Sequence, residues 1–154
     1  MKRVFTIFIT SLVVLTMLTA CGAKNVDLNK VLDDVKSKHD LSGLTAVDSV
    51  EKFSRYYTIP TEDVKEFAAE YTKSSTDGYT EVALVEAVDD KAAAEVKAQL
   101  ERHLQDQLRD AKSYHAEHVS MIEACSVKDS GNFIWLVVCD KPDDINADIE
   151  KALK

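Results

Sequence analysis

Phe133-Ile134-Trp135-Leu136-Val137-Val138 is apolar at every position. A strand with one wet face alternates polar and apolar residues, so this unbroken run is placed centrally in a sheet. Asp129-Ser130-Gly131-Asn132 precedes it as a turn, and Ala124 to Lys128 precedes the turn, so the two runs pair as a hairpin. Upstream, Tyr79 to Val88 alternates, with Val82, Leu84 and Val88 on one side and Ala83, Val85 and Ala87 on the other. It reads as a second, mostly buried strand with Glu86 as its polar exception. Between the strands lies the longest helical pattern, Lys91 to Lys112, where Ala92, Val96, Leu100, Leu104 and Leu108 form a four-spaced ridge that packs on the sheet.

The flanks read as helices. Leu28, Val31, Leu32 and Val35 hold one stripe of Asp27 to Lys38, and after a connection at His39 to Thr45, Val47, Val50, Phe53 and Tyr57 hold another. Tyr57-Thr58-Ile59-Pro60 is expected to be extended, because the residue before Pro is driven out of the α region. Thr61 is then expected to cap a third helix, with Glu62 and Asp63 in its first turn and Val64, Phe67, Ala68 and Tyr71 facing inward, up to a Ser/Thr-rich loop at Thr72 to Gly78. Pro142 opens a last helix that carries Ile145, Ile149 and Leu153 on one face. The expected class is α+β: a small, mainly antiparallel sheet of one strand and a hairpin, packed against the long helix, with N-terminal and C-terminal helices in addition and all helices on one face of the sheet.

The 154 residues suffice for one domain, and their 45% apolar content with only 4 Gly and 2 Pro excludes a collagen-like or wholly disordered chain. At the start, Lys2 and Arg3 precede an uncharged stretch whose apolar centre, Val4 to Leu18, gives way to Thr19 and Ala20, the pattern of an export signal. As a helix that centre spans about 22 Å, short of the roughly 30 Å hydrocarbon layer, so a permanent membrane span is the weaker reading. Loss of a 20-residue leader with its two cations leaves 134 residues and a net charge of −10. Such a charge argues against nucleic-acid binding, which needs basic surface.

Leu18-Thr19-Ala20-Cys21 resembles the lipobox of bacterial lipoproteins. The resemblance implies a signal peptide over residues 1–20, diacylglycerol on the Cys21 sulfur, a short tether over 21–26 and a single domain over 27–154. Two acyl chains anchor stably where one holds only marginally, and the five residues Gly22 to Val26 reach about 17 Å when extended. The membrane, through the lipid on Cys21, is thus one expected partner, and the outer face of the cell membrane the expected location. Within the domain, an ordered set of short motifs is similar to a family: Tyr57-Thr58-Ile59 with Asp63-Val64, Glu81-Val82-Ala83-Leu84-Val85, Arg102, Tyr114 with Glu117, and Gly131-Asn132-Phe133. It resembles the single-domain lipoproteins of Gram-positive bacteria classed as a domain of unknown function, over nearly all of Asp27 to Leu153. Two positions depart from that pattern, Ala116 where Pro is usual and Glu86 where Lys is frequent. The resemblance implies an address and a fold, and no activity.

Several residue groups are candidates for chemistry. His115 and His118 with Glu117 between them would begin a metal site, although a closed site needs three or four converging ligands and a solvated corner is the commoner outcome. Cys125 and Cys139 admit a disulfide, a Cys–His nucleophile pair or two buried thiols. A turn centred on Ser130-Gly131 sets Cys125 opposite Leu136 and leaves Cys139 roughly 10 Å further along, which favours buried thiols. Tyr56, Tyr57, Tyr71, Tyr79 and Trp135 would line a ligand cleft or fill the core, and Arg102 and Tyr114 would serve a shared site or cover the helix–sheet edge. Asp33-Asp34, Asp89-Asp90 and Asp143-Asp144 suit helix starts or solvated faces, and no cofactor motif is present, neither G-x-G-x-x-G nor a P-loop. The expectation is a non-catalytic binding or interaction module for an envelope protein or a small ligand. The alternative is a cell-envelope enzyme or metal-binding protein using Tyr114 to His118. A two-lobed transport receptor does not fit 134 residues.

Overall fold

In the computed structural model, which describes residues 25–154, the Asp27 carboxylate accepts a hydrogen bond from the Lys30 amide at 3.1 Å and opens helix α1 (Leu28–Lys38). A two-residue strand β1 (Thr45–Ala46) follows, then α2 (Val50–Tyr57), whose Ser49 cap accepts from the Lys52 amide at 3.3 Å. One 3-10 turn at Thr61–Asp63 leads into β2 (Val64–Tyr71) and β3 (Glu81–Ala87). Asp89 caps the long α3 (Asp90–Tyr114) by accepting from the Ala92 amide at 2.8 Å. A 3-10 turn at Ala116–His118 and a short α4 (Val119–Glu123) return the chain to β4 (Lys128–Ser130) and β5 (Phe133–Val138), and α5 (Pro142–Leu153) ends it. The fold is α+β, with one five-stranded antiparallel sheet in the order β1-β2-β3-β5-β4. Among the described residues no helix is long and apolar enough to cross a membrane.

The sheet is covered on both faces. Ala83, Val85, Ala87, Ile134, Leu136 and Val138 pack against α2, α3 and α4, around the fully buried Phe53, Val96 and Leu100. Val82, Leu84, Trp135 and Val137 pack against α1 and α5, through Leu28, Val31, Ile145 and Ile149. This three-layer arrangement corrects the expectation of helices on one face, and it explains why β3 and β5 carry apolar residues on both sides: each is roofed twice.

The expected third helix is a strand. Val64, Phe67, Ala68 and Tyr71 keep helical spacing, yet Val64–Tyr71 pairs with β3 along its length, from Val64 opposite Ala87 to Tyr71 opposite Glu81. Its alternation is hidden because the second face is acidic and still covered. Glu66 accepts from the Leu28 amide at 2.9 Å, and Glu70 meets Lys36 at 2.6 Å, so α1 supplies donors that a solvated face would have found in water. The sheet irregularity between Val64 and Glu66 sets Lys65 where it pairs at 2.6 Å with Glu86, which faces Glu66 across the ladder. Glu86 is therefore buried at 6% exposure, and the exposed residue of that stretch is Val88.

The turn after α2 also differs from the extended expectation. Thr58 takes φ 58°, ψ 34°, the left-handed conformation that ends a helix, and both its amide and that of Ile59 donate to the Ser54 carbonyl. A β-branched residue is strained there. Thr58→Gly is expected to raise stability by about 1 kcal/mol, seen as a higher urea midpoint at an unchanged slope.

Candidate functional site

Glu81 begins β3 on the side of Ala83 and Val85, so its carboxylate enters the layer between the sheet and α3 rather than solvent, and it is 1% exposed. The groups that answer this burial come from two helices. His103 of α3 brings Nε2 to 3.0 and 3.1 Å from the two Glu81 oxygens, and Tyr57 of α2 donates its hydroxyl to Glu81 Oε2 at 3.5 Å. A carboxylate only accepts, so His103 Nε2 carries the proton, a tautomer assigned from the network. One turn on, Gln107 sets its amide nitrogen 3.1 Å from the same His103 Nε2, while its Oε1 is buried without a hydrogen-bond partner. Two N–H donors do not bond each other, so the opposite amide orientation fits His103 better. In either orientation one end of the Gln107 amide is left unpaired.

This network floors a cavity of about 230 Å³ lined by Tyr56, Tyr71, Tyr79, Glu81, His103 and Gln107, with Lys73 and Ser75 of the β2–β3 loop at its rim. Tyr56 stacks on Tyr71 with centroids 4.2 Å apart and planes at 23°, and its ring lies 5.1 Å from that of His103. Tyr57 covers His103 from the core side at 4.8 Å. Desolvation first, then the Glu81 charge, push the Tyr56 and Tyr57 hydroxyls well above the ordinary phenol range. At the other end, the Tyr79 hydroxyl donates to Asp110. Burial and that hydrogen bond push Tyr79 up to about 12. All three phenols are therefore neutral near pH 7; Tyr57 gives its proton to Glu81 and Tyr79 to Asp110, which leaves the Tyr56 O–H for the cleft.

The sequence candidates separate in space. Tyr56, Tyr71 and Tyr79 meet in the cleft, whereas Tyr57 is core and Trp135 lies on the opposite face of the sheet, donating to Asn146 Oδ1 at 3.0 Å. His115 and His118 flank Tyr79 at ring distances of 5.9 and 5.6 Å, and Glu117 lies 3.8 and 3.9 Å from them. Among the described residues no three His, Cys, Asp or Glu side chains converge as a metal site. Arg102 points outward to Glu95 at 3.4 Å, and Tyr114 is 78% exposed, so they share no site. Cys125 and Cys139 are free, buried on opposite faces of the sheet, and burial raises both thiols above their usual range. Cys21 lies outside the described residues.

His103 and Gln107 were not legible as site residues. One signal was there: with Gln99 they form a polar four-spaced row beside the Leu100, Leu104 and Leu108 ridge, and a helix lying on a sheet half-buries such a row.

The cleft and the chain's entry lie at opposite ends of the sheet. The N-terminus of α1 docks on Glu66 near the start of β2, whereas the cleft opens at Tyr71 and Glu81, on the other face. Five residues of strand separate the two ends by about 17 Å.

The fold and cleft define a three-layer α+β domain with one aromatic, polar cleft over a buried Glu–His pair. It belongs to a family described as a domain of unknown function, DUF4358, whose model matches residues 37–139 and so takes in the whole cleft, while most of α1 and all of α5 lie outside the match. A search of curated proteins and a search of solved structures each returned no match.

Removal of one partner of the buried pair leaves the other without compensation. His103→Leu alone is expected to cost about 3–5 kcal/mol, and adding Glu81→Leu to recover most of that loss, both read from urea unfolding midpoints.

Proposed function

We propose that this protein is an exported bacterial lipoprotein, tethered to the outer face of the cell membrane by diacylglycerol on Cys21, whose domain binds a ligand in the Tyr56–Tyr71–His103 cleft without transforming it. The observation that supports the reading is the separation of the cleft from the N-terminus of α1. α1 enters at one end of the sheet and the cleft opens at the other, so a domain tied down at residues 21–26 presents its cleft away from the lipid surface. The acidic balance of the chain, 27 Asp and Glu against 19 Lys and Arg, works in the same direction by repelling an anionic surface over a Debye length of about 8 Å. His103 commits its Nε2 proton to both oxygens of Glu81, which fixes the floor of the cleft as a rigid binding surface.

Metabolic labelling with an alkyne fatty acid, followed by cell fractionation, tests the anchor. The expected result is label and membrane association for the natural chain and loss of both for Cys21→Ala. An unlabelled natural chain, or a Cys21→Ala chain that stays with the membrane, contradicts it.

A further inference from the structure

We infer that the Tyr56–Tyr71–His103 cleft is built for a single neutral sugar ring, a pyranose unit, held by tyrosine faces and by the Gln107–His103–Glu81 network. The inference rests on the reading of the cleft as a binding site and adds the class of its ligand.

Three observations lead there. The first is charge. Besides His103, the cavity is lined by one basic and one acidic side chain, Lys73 and Glu81, and Glu81 is already hydrogen-bonded by His103 and Tyr57. A phosphate would meet the buried carboxylate, and an ammonium would meet Lys73 and compete with His103 for Glu81, so a ligand of either sign gains little. A neutral ligand pays neither penalty.

The second is the kind of hydrogen bond left open. Gln107 lines this cavity and keeps one end of its amide buried and unpaired, an acceptor in one orientation and a donor in the other. A hydroxyl both donates and accepts, and so it satisfies Gln107 in either state, which a pure donor or a pure acceptor does not. The neutral Tyr56 hydroxyl and Ser75 at the rim add further polar partners, and the Tyr79 oxygen, whose proton goes to Asp110, adds an acceptor.

The third is shape. Tyrosine rings give the cavity apolar walls while its floor is polar, and at about 230 Å³ it falls below the roughly 300–1,000 Å³ of pockets for drug-sized ligands. The occupant must therefore be about one ring in size, with C–H groups for the aromatic faces and hydroxyls at its edge. A pyranose combines these properties. A free monosaccharide and the end unit of a glycan chain share this chemistry, and the test includes both.

The experiment uses the full chain in a zwitterionic detergent that has no sugar headgroup. Glucose, N-acetylglucosamine and chitotriose are the probes, choline and inorganic phosphate the charged controls, and binding is read from NMR shifts of the His103 and Gln107 side chains and backbones. The expected result is saturable binding of at least one sugar, and weakening by about tenfold in both Tyr71→Ala and Gln107→Ala. The backbone spectrum of each variant shows whether it stays folded, and Gln107→Ala, on the half-buried face of α3, leaves the core intact. Preference for chitotriose over N-acetylglucosamine assigns the site to a glycan end, and the reverse to a free monosaccharide. No saturation by any of the sugars, affinity unchanged in the folded variants, or choline or phosphate binding there in place of sugar each overturns the inference. Labelling at Cys21 reads the tether independently, so anchor and ligand class fail separately.

Discussion

A carboxylate that is 1% exposed must be answered by its surroundings, and the answer to Glu81 organises one end of this fold. Glu81 is buried because β3 is central, flanked by β2 and β5 and roofed on both faces. Its oxygens are met by α3 through His103 and by α2 through Tyr57, which links both helices to the first residue of the central strand. The same contacts leave the outer edge of the network facing a cavity instead of apolar core. Structure and site are one arrangement here: the groups that keep the carboxylate compensated are the floor of the cleft.

The opposite face follows the same rule with different partners. Glu66, Glu70 and Glu86 lie under or beside α1, and each is answered, by the Leu28 amide, by Lys36 and by Lys65. Glu70 and Glu86 each keep one buried oxygen without a partner. These compensations explain how an acidic strand occupies the interior of a three-layer domain, and why β2 was not legible as one. Lys65-Glu66-Phe67-Ala68-Ala69-Glu70 combines residues that favour helices with an acidic face, and only the donors of α1, remote in sequence, make that face tolerable. Where the pattern was local it was legible. Asp89 opens the long helix, Pro142 starts α5, and the apolar runs of β3 and β5 lie centrally. The hairpin was legible with its register displaced: Ser130 pairs with Phe133, so Gly131 and Asn132 form the turn.

The site was legible in halves. Tyr56, Tyr57, Tyr71, Tyr79 and Trp135 were recognisable as cleft or core, with core the commoner outcome at such spacings, and the structure brings Tyr56, Tyr71 and Tyr79 into the cleft. The deciding residues are polar positions on α3, and polar residues on a long helix ordinarily face water. Only the burial of Glu81, a property of the sheet's order and not of the local sequence, turns His103 and Gln107 inward. By contrast, the conspicuous His115-Ala116-Glu117-His118 corner forms a second rank behind Tyr79, in ring contact with it and outside the network.

The central claim is that His103 is bound through Nε2 to a buried carboxylate and thereby holds the floor of the cleft. Long-range ¹H–¹⁵N correlation of the uniformly labelled protein at neutral pH reads that nitrogen directly. The account predicts that His103 Nε2 bears a slowly exchanging proton, and that the signal changes in Glu81→Gln while those of His115 and His118 do not. A His103 whose proton resides on Nδ1 alone, with Nε2 a free acceptor, would contradict it.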